Sequence, residues 1–253
     1  MTVESEQDVQ GLLACGRLVR RVFERMRAAA RAGVTTAQLD ALASAEFART
    51  GATSAPQHFY DFPGATCISV NEAAAHGIPS PDCRLRNGDL VNIDVSAVLN
   101  GYVADMGESF VVGPVSGGKL RARERICRAV KQAVQLAIDE IRPGRSLNVI
   151  GDAVQRVADR HSYRIVENLG SHGVGRNIHE EPSYIPRRNP KERRQLTEGL
   201  VLTVEPFFTT GSVWVEEAGD GWTLSTAPGE LIAQCEQTVI VRSAGPLVVT
   251  AAA

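Results

Sequence analysis

No stretch of this 253-residue chain approaches the roughly 18 consecutive apolar residues that a membrane-spanning helix requires. The basic and apolar regions of a secretory signal are also missing, since the opening MTVESEQDVQ is acidic and polar. A cytoplasmic location, with no membrane partner, is therefore expected. There is no overall basic field, because the formal net charge is -2, and so no general attraction to nucleic acid or an anionic membrane surface. The five cysteines, at 15, 67, 83, 127 and 235, are odd in number and scattered, and none forms a CxxC pair. That distribution argues against a disulfide framework or a zinc knuckle and favours reduced thiols, four of them read as small buried hydrophobes. Cys67 is the exception. What the chain does have is 43% hydrophobic residues, enough to bury a full core in one large domain or two small ones.

From Val9 to Ala30, Val9, Leu12, Leu13, Val19, Val22, Phe23 and Met26 recur at helical spacing, which predicts a long amphipathic helix ended by Gly33. Thr35 then caps a second helix carrying Leu39, Leu42 and Phe47 up to Gly51. The same order returns later. A helix around Ile126, Val130, Val134, Ile138 and Ile141 is followed by Pro143-Gly144, and Ser146 caps a helix with Ile150, Val154 and Val157. Gly144 follows Gly33 by 111 residues and Ser146 follows Thr35 by 111. The strand Gly88-Asp-Leu-Val-Asn-Ile-Asp94 lies over Gly199-Leu-Val-Leu-Thr-Val-Glu205 at that same offset. One constant shift from helix cap to acidic strand residue reads as an internal duplication. Two α+β halves, approximately 5–114 and 115–250, are expected to meet at a shared sheet with a site between them.

Leu90 to Leu99 and Tyr102 to Val112 are rich in β-formers and flank Asn100-Gly101, a strong signal for a two-residue hairpin turn. Such a turn places Asp94 opposite Gly107 and Ser96 opposite Asp105, all on one face because the side-chain period is two. The two aspartates become diagonal neighbours, roughly 7 to 8 Å apart at Cα, close enough for both to reach one cation. Converging carboxylates repel unless something positive lies between them. A solvated face would serve equally well for this hairpin alone. The second half favours the cation: Glu205 follows Val201 and Thr203 on one strand face, Glu236 lies between Gln234 and Thr238 on another, and no nearby basic run compensates four carboxylates.

The segment from Leu169 to Pro182 supplies nitrogen. Its glycines at 170, 173 and 175 exclude a stable helix and present His172 and His179 from a tight loop or strand end. The helical HExxH motif is excluded because position 183 is Ser. Oxygen-rich ligation with one His suits hard or borderline divalent ions and points to a catalytic rather than a structural site.

Taken together, Cys67-Ile-Ser-Val-Asn-Glu-Ala-Ala-Ala-His76-Gly-Ile-Pro, Asn92-Ile-Asp94, Asp105, the run from His172 to Pro182, Thr203-Val-Glu205-Pro and Ala233-Gln-Cys-Glu236-Gln-Thr resemble type I methionine aminopeptidases over nearly the whole chain. The resemblance implies a single catalytic domain with that family's pita-bread fold, two pseudo-symmetric α+β halves around a central antiparallel sheet. It implies removal of the initiator methionine from nascent chains, preferably before a small second residue, by a hydroxide bridging two divalent metal ions drawn from Co, Mn, Fe or Zn.

By the same resemblance Asp105 and Glu236 bridge the metals, Asp94 chelates one, and His172 with Glu205 completes the other. Glu205 also acts as general base, His179 steadies the oxyanion, and His76 contacts the scissile amide and assists the leaving nitrogen. The substrate's free amine binds a metal, which accounts for exopeptidase action. The methionine pocket is assigned to Phe59, Phe62, Cys67, Ile178 and Trp222, alongside His76 and His179. Several positions depart from the family. Phe59 and Phe62 stand where Tyr is frequent, Ile178 where Phe is, Met106 replaces the usual Thr, and Gln237 the usual His. A Cys-rich N-terminal extension of the eukaryotic kind is missing, so the bacterial form fits. The expected partners are nascent polypeptide N-termini, met by a monomer with no specific nucleic acid. The basic run at Arg187-Arg188 and from Lys191 to Arg194 reads as a solvated loop, with transient ribosome contact as its alternative.

Two other readings compete. Xaa-Pro aminopeptidases and prolidases share the fold and the His-Gly-x-Gly run but usually carry a large N-terminal domain, for which the residues before Asp94 leave no room. Non-catalytic modules of this fold typically lose metal ligands, and here none is lost.

Overall fold

The structure, a computed structural model, describes residues 1–114, 116–185 and 187–252. Its first helix is set by a capping box: the Ser5 hydroxyl accepts the Asp8 N–H, and the Asp8 carboxylate accepts the Ser5 N–H. That box starts helix α1 (Glu6–Ala29) three residues before the apolar stripe begins. The helix also stops short of the expected Gly33, which instead sits in the connecting turn at φ +93°. Helix α2 (Thr36–Thr50) has the expected Thr35 cap and ends on Gly51 in the left-handed region.

Strand β1 (Thr53–Ser54), the short helix α3 (Ala55–Tyr60), β2 (Cys67–Val70) and β3 (Ala73–Ala75) lead to the hairpin of β4 (Leu90–Leu99) and β5 (Tyr102–Val111). Asn100 and Gly101 both have positive φ, the requirement of a type I′ turn, and the register pairs Asp94 with Gly107 and Ser96 with Asp105 as expected. On β4, Val91, Ile93, Val95 and Ala97 pack into the core with α1, so Asn92, Asp94 and Ser96 face the other way.

The second half repeats the order with α4 (Gly118–Glu140) and α5 (Asn148–His161). Helix α5 begins two residues after the expected cap, and Ser146 still accepts the Asn148 N–H at 3.2 Å. The 111-residue offset extends to hydrogen bonds. Gly33 N–H donates to the Leu85 carbonyl at 2.9 Å, and Gly144 N–H to that of Leu196 at 2.8 Å. Isolated bridges join Thr35 to Arg84 and Ser146 to Gln195 in the same way. Sequence repetition has thus become repeated backbone geometry, giving the two pseudo-symmetric α+β halves.

After α5 come β6 (Arg164–Ile165), β7 (Ser171–Gly173), β8 (Glu180–Ile185), β9 (Val201–Val204) and β10 (Phe207–Thr209), then β11 (Glu216–Glu217), β12 (Leu224–Ser225), β13 (Ile232–Gln234), β14 (Gln237–Ile240) and β15 (Leu247–Val248). One sheet runs β15-β14-β9-β7-β8, and every pairing among the described strands is antiparallel. Leu202 and Val204 of β9 pack with α4 and α5, which leaves Thr203 on the face opposite that core. The chain changes partners at Cys235-Glu236, since β13 pairs with β10 and β14 with β9. Glu236 therefore lies between two strands rather than inside one, and its N–H donates to the Gly107 carbonyl at 2.7 Å. That contact joins the halves. No helix among the described residues is long and apolar enough to cross a membrane.

Candidate metal centre

The five expected ligands converge on this seam. One ligand atom each from Asp105, His172 and Glu236 lies within 4.8 Å of the others, and all three residues are buried. Glu205 joins them through His172, whose Nε2 is 3.0 Å from Glu205 Oε1. Asp94 and Asp105 lie on the same hairpin face and interact directly.

His172, Glu205 and Glu236 are each aimed by a hydrogen bond. His172 Nδ1 is 2.9 Å from the Gly173 carbonyl, which can only accept, so Nδ1 carries a proton and Nε2 is turned into the site, where, against the cost of burial, the facing Glu205 carboxylate raises the pKa of the ring. Thr203 accepts the His172 N–H at 3.1 Å and donates its hydroxyl to Glu205 Oε1 at 2.8 Å. Gln234 donates from Nε2 to Glu236 Oε2 at 2.9 Å, and its own oxygen accepts from Asn92 Nδ2 at 2.7 Å. The alternation that groups Gln234 with Glu236 was the signal for this role, although the sequence reading gave Gln234 none.

Among the described residues the buried atoms Asp105 Oδ1 and Glu236 Oε1 have no hydrogen-bond partner. A buried unsatisfied acceptor costs on the order of 1–3 kcal/mol, and more when charged. Burial, and then the neighbouring Glu205, raises Asp94 to about 7. Burial and mutual repulsion drive Asp105 and Glu236 well above the ordinary carboxylate range. Two orphaned oxygens among mutually repelling carboxylates, with one imidazole nitrogen, fit hard or borderline divalent cations.

A cavity of about 260 Å³ opens beside these ligands. Phe62, Cys67, Ile178 and Trp222 line it as expected, together with His76 and His179. Phe62 and Trp222 meet edge to face, with ring centroids 5.1 Å apart. Cys67 pairs in register with Asp94, and burial together with that carboxylate keeps its thiol protonated, so it serves as wall rather than nucleophile. Phe59 is the correction. It packs against the core of the first half and does not line the cavity, whereas Pro56 and Tyr60 do. Residues 55 to 60 form a helix, in which neighbours point about 100° apart, so adjacent side chains cannot share that face.

His76 is held at φ +54°, unusual for a residue with a β-carbon. Burial lowers its pKa, against the pull of Glu205. His179 stands at the cavity mouth with part of its surface in solvent. Desolvation on its inner side, and then His172 with ring centroids 4.2 Å apart, lowers it to about 4. Both imidazoles are thus neutral at physiological pH. Arg187, Arg188 and Arg194 pair with Glu167, Asp152 and Glu192 respectively, in keeping with a solvated loop.

The sequence profile of metallopeptidase family M24 matches residues 10–243. A methionine aminopeptidase of Staphylococcus epidermidis is 42% identical over 251 residues, which cover 99% of this chain and 98% of that one. Methionine aminopeptidase 2 of Bacillus subtilis is 39% identical, with 99% of each chain covered. The crystal structure of the Rickettsia prowazekii methionine aminopeptidase superposes with a TM-score of 0.92 at 33% identity, over 99% of this chain and 100% of that one. That overlay bears out the pita-bread fold expected from the resemblance.

Proposed function

Because the chain belongs to the methionine aminopeptidases of metallopeptidase family M24, we propose that it removes the initiator methionine from nascent proteins and peptides at a two-metal centre, preferring a small second residue. The observation that carries the two-metal reading is the pair of unpartnered buried oxygens, Asp105 Oδ1 and Glu236 Oε1, beside an apolar cavity. Asp105 and Glu236 would bridge two divalent ions, Asp94 would hold one, and His172 with Glu205 the other. Co, Mn, Fe or Zn would supply a hydroxide nucleophile at neutral pH and polarise the scissile carbonyl.

The side chains do the remainder. Glu205, held by Thr203, is positioned to take and return the proton of the attacking water. His179, neutral and at the mouth, donates to the oxygen on which charge develops, and His76 contacts the scissile amide. Phe62, Cys67, Ile178 and Trp222 surround an unbranched thioether with aromatic edges and sulfur. Nascent N-termini are the proposed partners of a monomeric enzyme.

The test is methionine release from a Met-Gly peptide by apo-protein given each divalent ion in turn, then a Met-Xaa series. Glu205→Ala and His172→Ala are expected to abolish release. Undiminished turnover in either, or turnover of Xaa-Pro peptides in place of Met-Ala peptides, would overturn the reading.

A further inference from the structure

Tyr60 is the last residue of α3, and the cap that ends this helix also fixes its direction. Asp61 turns into the left-handed region at φ +55° and returns its N–H to the Gln57 carbonyl. The phenol is 45% exposed, yet its oxygen lies 2.6 Å from His179 Nδ1, with the ring centroids 5.6 Å apart. Among the described residues it is the only hydrogen-bond partner that either ring has.

A neutral imidazole has one N–H donor and one acceptor nitrogen, and its neighbours decide which is which. A neutral phenol donates well and accepts poorly, because the oxygen lone pair is delocalised into the ring. The unprotonated imidazole nitrogen is the better acceptor of the two. The hydrogen bond therefore runs from the Tyr60 hydroxyl to His179 Nδ1 and leaves the proton of His179 on Nε2.

We propose that Tyr60 is a positioning residue, holding His179 as the Nε2–H tautomer so that the nitrogen other than the one bound to Tyr60 is a hydrogen-bond donor for substrate. The proposal rests on the reading above that His179 donates to the substrate oxygen. The opposite tautomer would leave a lone pair at Nε2, which repels a developing oxyanion. Holding the proton in place before substrate arrives spares a reorganisation during the reaction.

The experiment uses zinc-loaded enzyme, which is diamagnetic, with ¹⁵N-labelled histidine and long-range proton–nitrogen correlation spectra. His179 is assigned as the ring system missing from His179→Ala. In the unmodified enzyme its Nδ1 should show the shift of an unprotonated nitrogen and its Nε2 that of a protonated one. Tyr60→Phe keeps the ring and removes only the hydroxyl, so the two shifts should move toward each other as both tautomers become populated. With a Met-Ala-Ser peptide, kcat should fall roughly five- to tenfold and KM should stay within about twofold, the scale of one neutral hydrogen bond made in the transition state.

Unchanged nitrogen shifts in Tyr60→Phe would overturn the proposal, whatever happens to kcat. Shifted nitrogens with unchanged kcat would overturn it too, since the tautomer would then not matter to turnover. Failure of the unmodified enzyme to release methionine would instead sink the functional reading, while the nitrogen shifts would still decide the geometry.

Discussion

Thr238 clasps the backbone of Asp105 across the seam between the halves: its Oγ1 accepts the Asp105 N–H at 2.9 Å and donates to the Asp105 carbonyl at 2.8 Å. One buried hydroxyl thus takes the place of a neighbouring strand for a residue whose own side chain faces the metal centre. Thr238→Val keeps the shape and leaves both backbone groups unpaired, so we expect a loss of about 2–4 kcal/mol in unfolding free energy. Thr238→Ser should recover most of it. Denaturant titration decides, and a loss below about 1 kcal/mol would show that the clasp is dispensable.

Gly107 lies against the Gln234 carboxamide, and a β-carbon there would collide with it. Gln234 is not free to swing away, being bonded to both Asn92 and Glu236. Gly107→Ala should displace it, release Glu236 and weaken divalent-ion affinity roughly tenfold by calorimetry, with about 1–3 kcal/mol of overpacking strain. Unaltered affinity would mean that the Gln234 contact does not orient Glu236.

The crowded carboxylates give a pH dependence of definite sign. Asp94 titrates at about 7 when folded and near about 3.9 when unfolded. Between those values the folded state binds more protons, so the stability of metal-free protein should be fully present below pH ~4 and decline as pH rises through about 7. Asp94→Asn should make the decline shallower, the remainder coming from Asp105 and Glu236, whose carboxyls are also driven up, and a saturating divalent ion should remove it. Thermal unfolding of chelator-treated protein from pH 5 to pH 8 measures this, and a rise in stability over that range would contradict the assignment.

Glu46 titrates in the opposite sense. Its carboxylate, 2% exposed, is gripped by Arg49, Arg21 and Arg25, and the Arg49 hydrogen bond, reinforced by Arg21 against the cost of burial, lowers its pKa to about 2. The stability it contributes is present above the unfolded value near 4.3 and lost as pH falls toward 2. Glu46→Gln should therefore melt lower than the parent at pH 6, and the difference should shrink toward pH 2.5. A constant difference across that range would show that the charge of Glu46 is not the source.

Much of the site could be read from the chain because the interactions behind it are local. Asn100 and Gly101 accept positive φ, the resulting two-residue turn sets the hairpin register, and period-two alternation then brings Asp94 and Asp105 to one face. The 111-residue repetition, visible as caps and glycines, carried Asp94 onto Glu205 and predicted a seam between halves. His172 and Glu236 came from motif resemblance and from the implausibility of unpaired buried charge.

Other features depend on contacts between distant segments, which local patterns do not encode. That Tyr60 rather than Phe59 faces the cavity follows from the rotation of a six-residue helix packed against the first core. Glu236 falls in a gap because the chain changes sheet partners at that point, an event governed by where β9, β10 and β5 lie. Thr238 and Gln234 look like ordinary polar strand residues until the halves close and place one on the Asp105 backbone and the other on Glu236. Turn chemistry and side-chain periodicity act over a few residues and are written in them, whereas the aim of each ligand depends on hydrogen bonds that form only when the two halves come together.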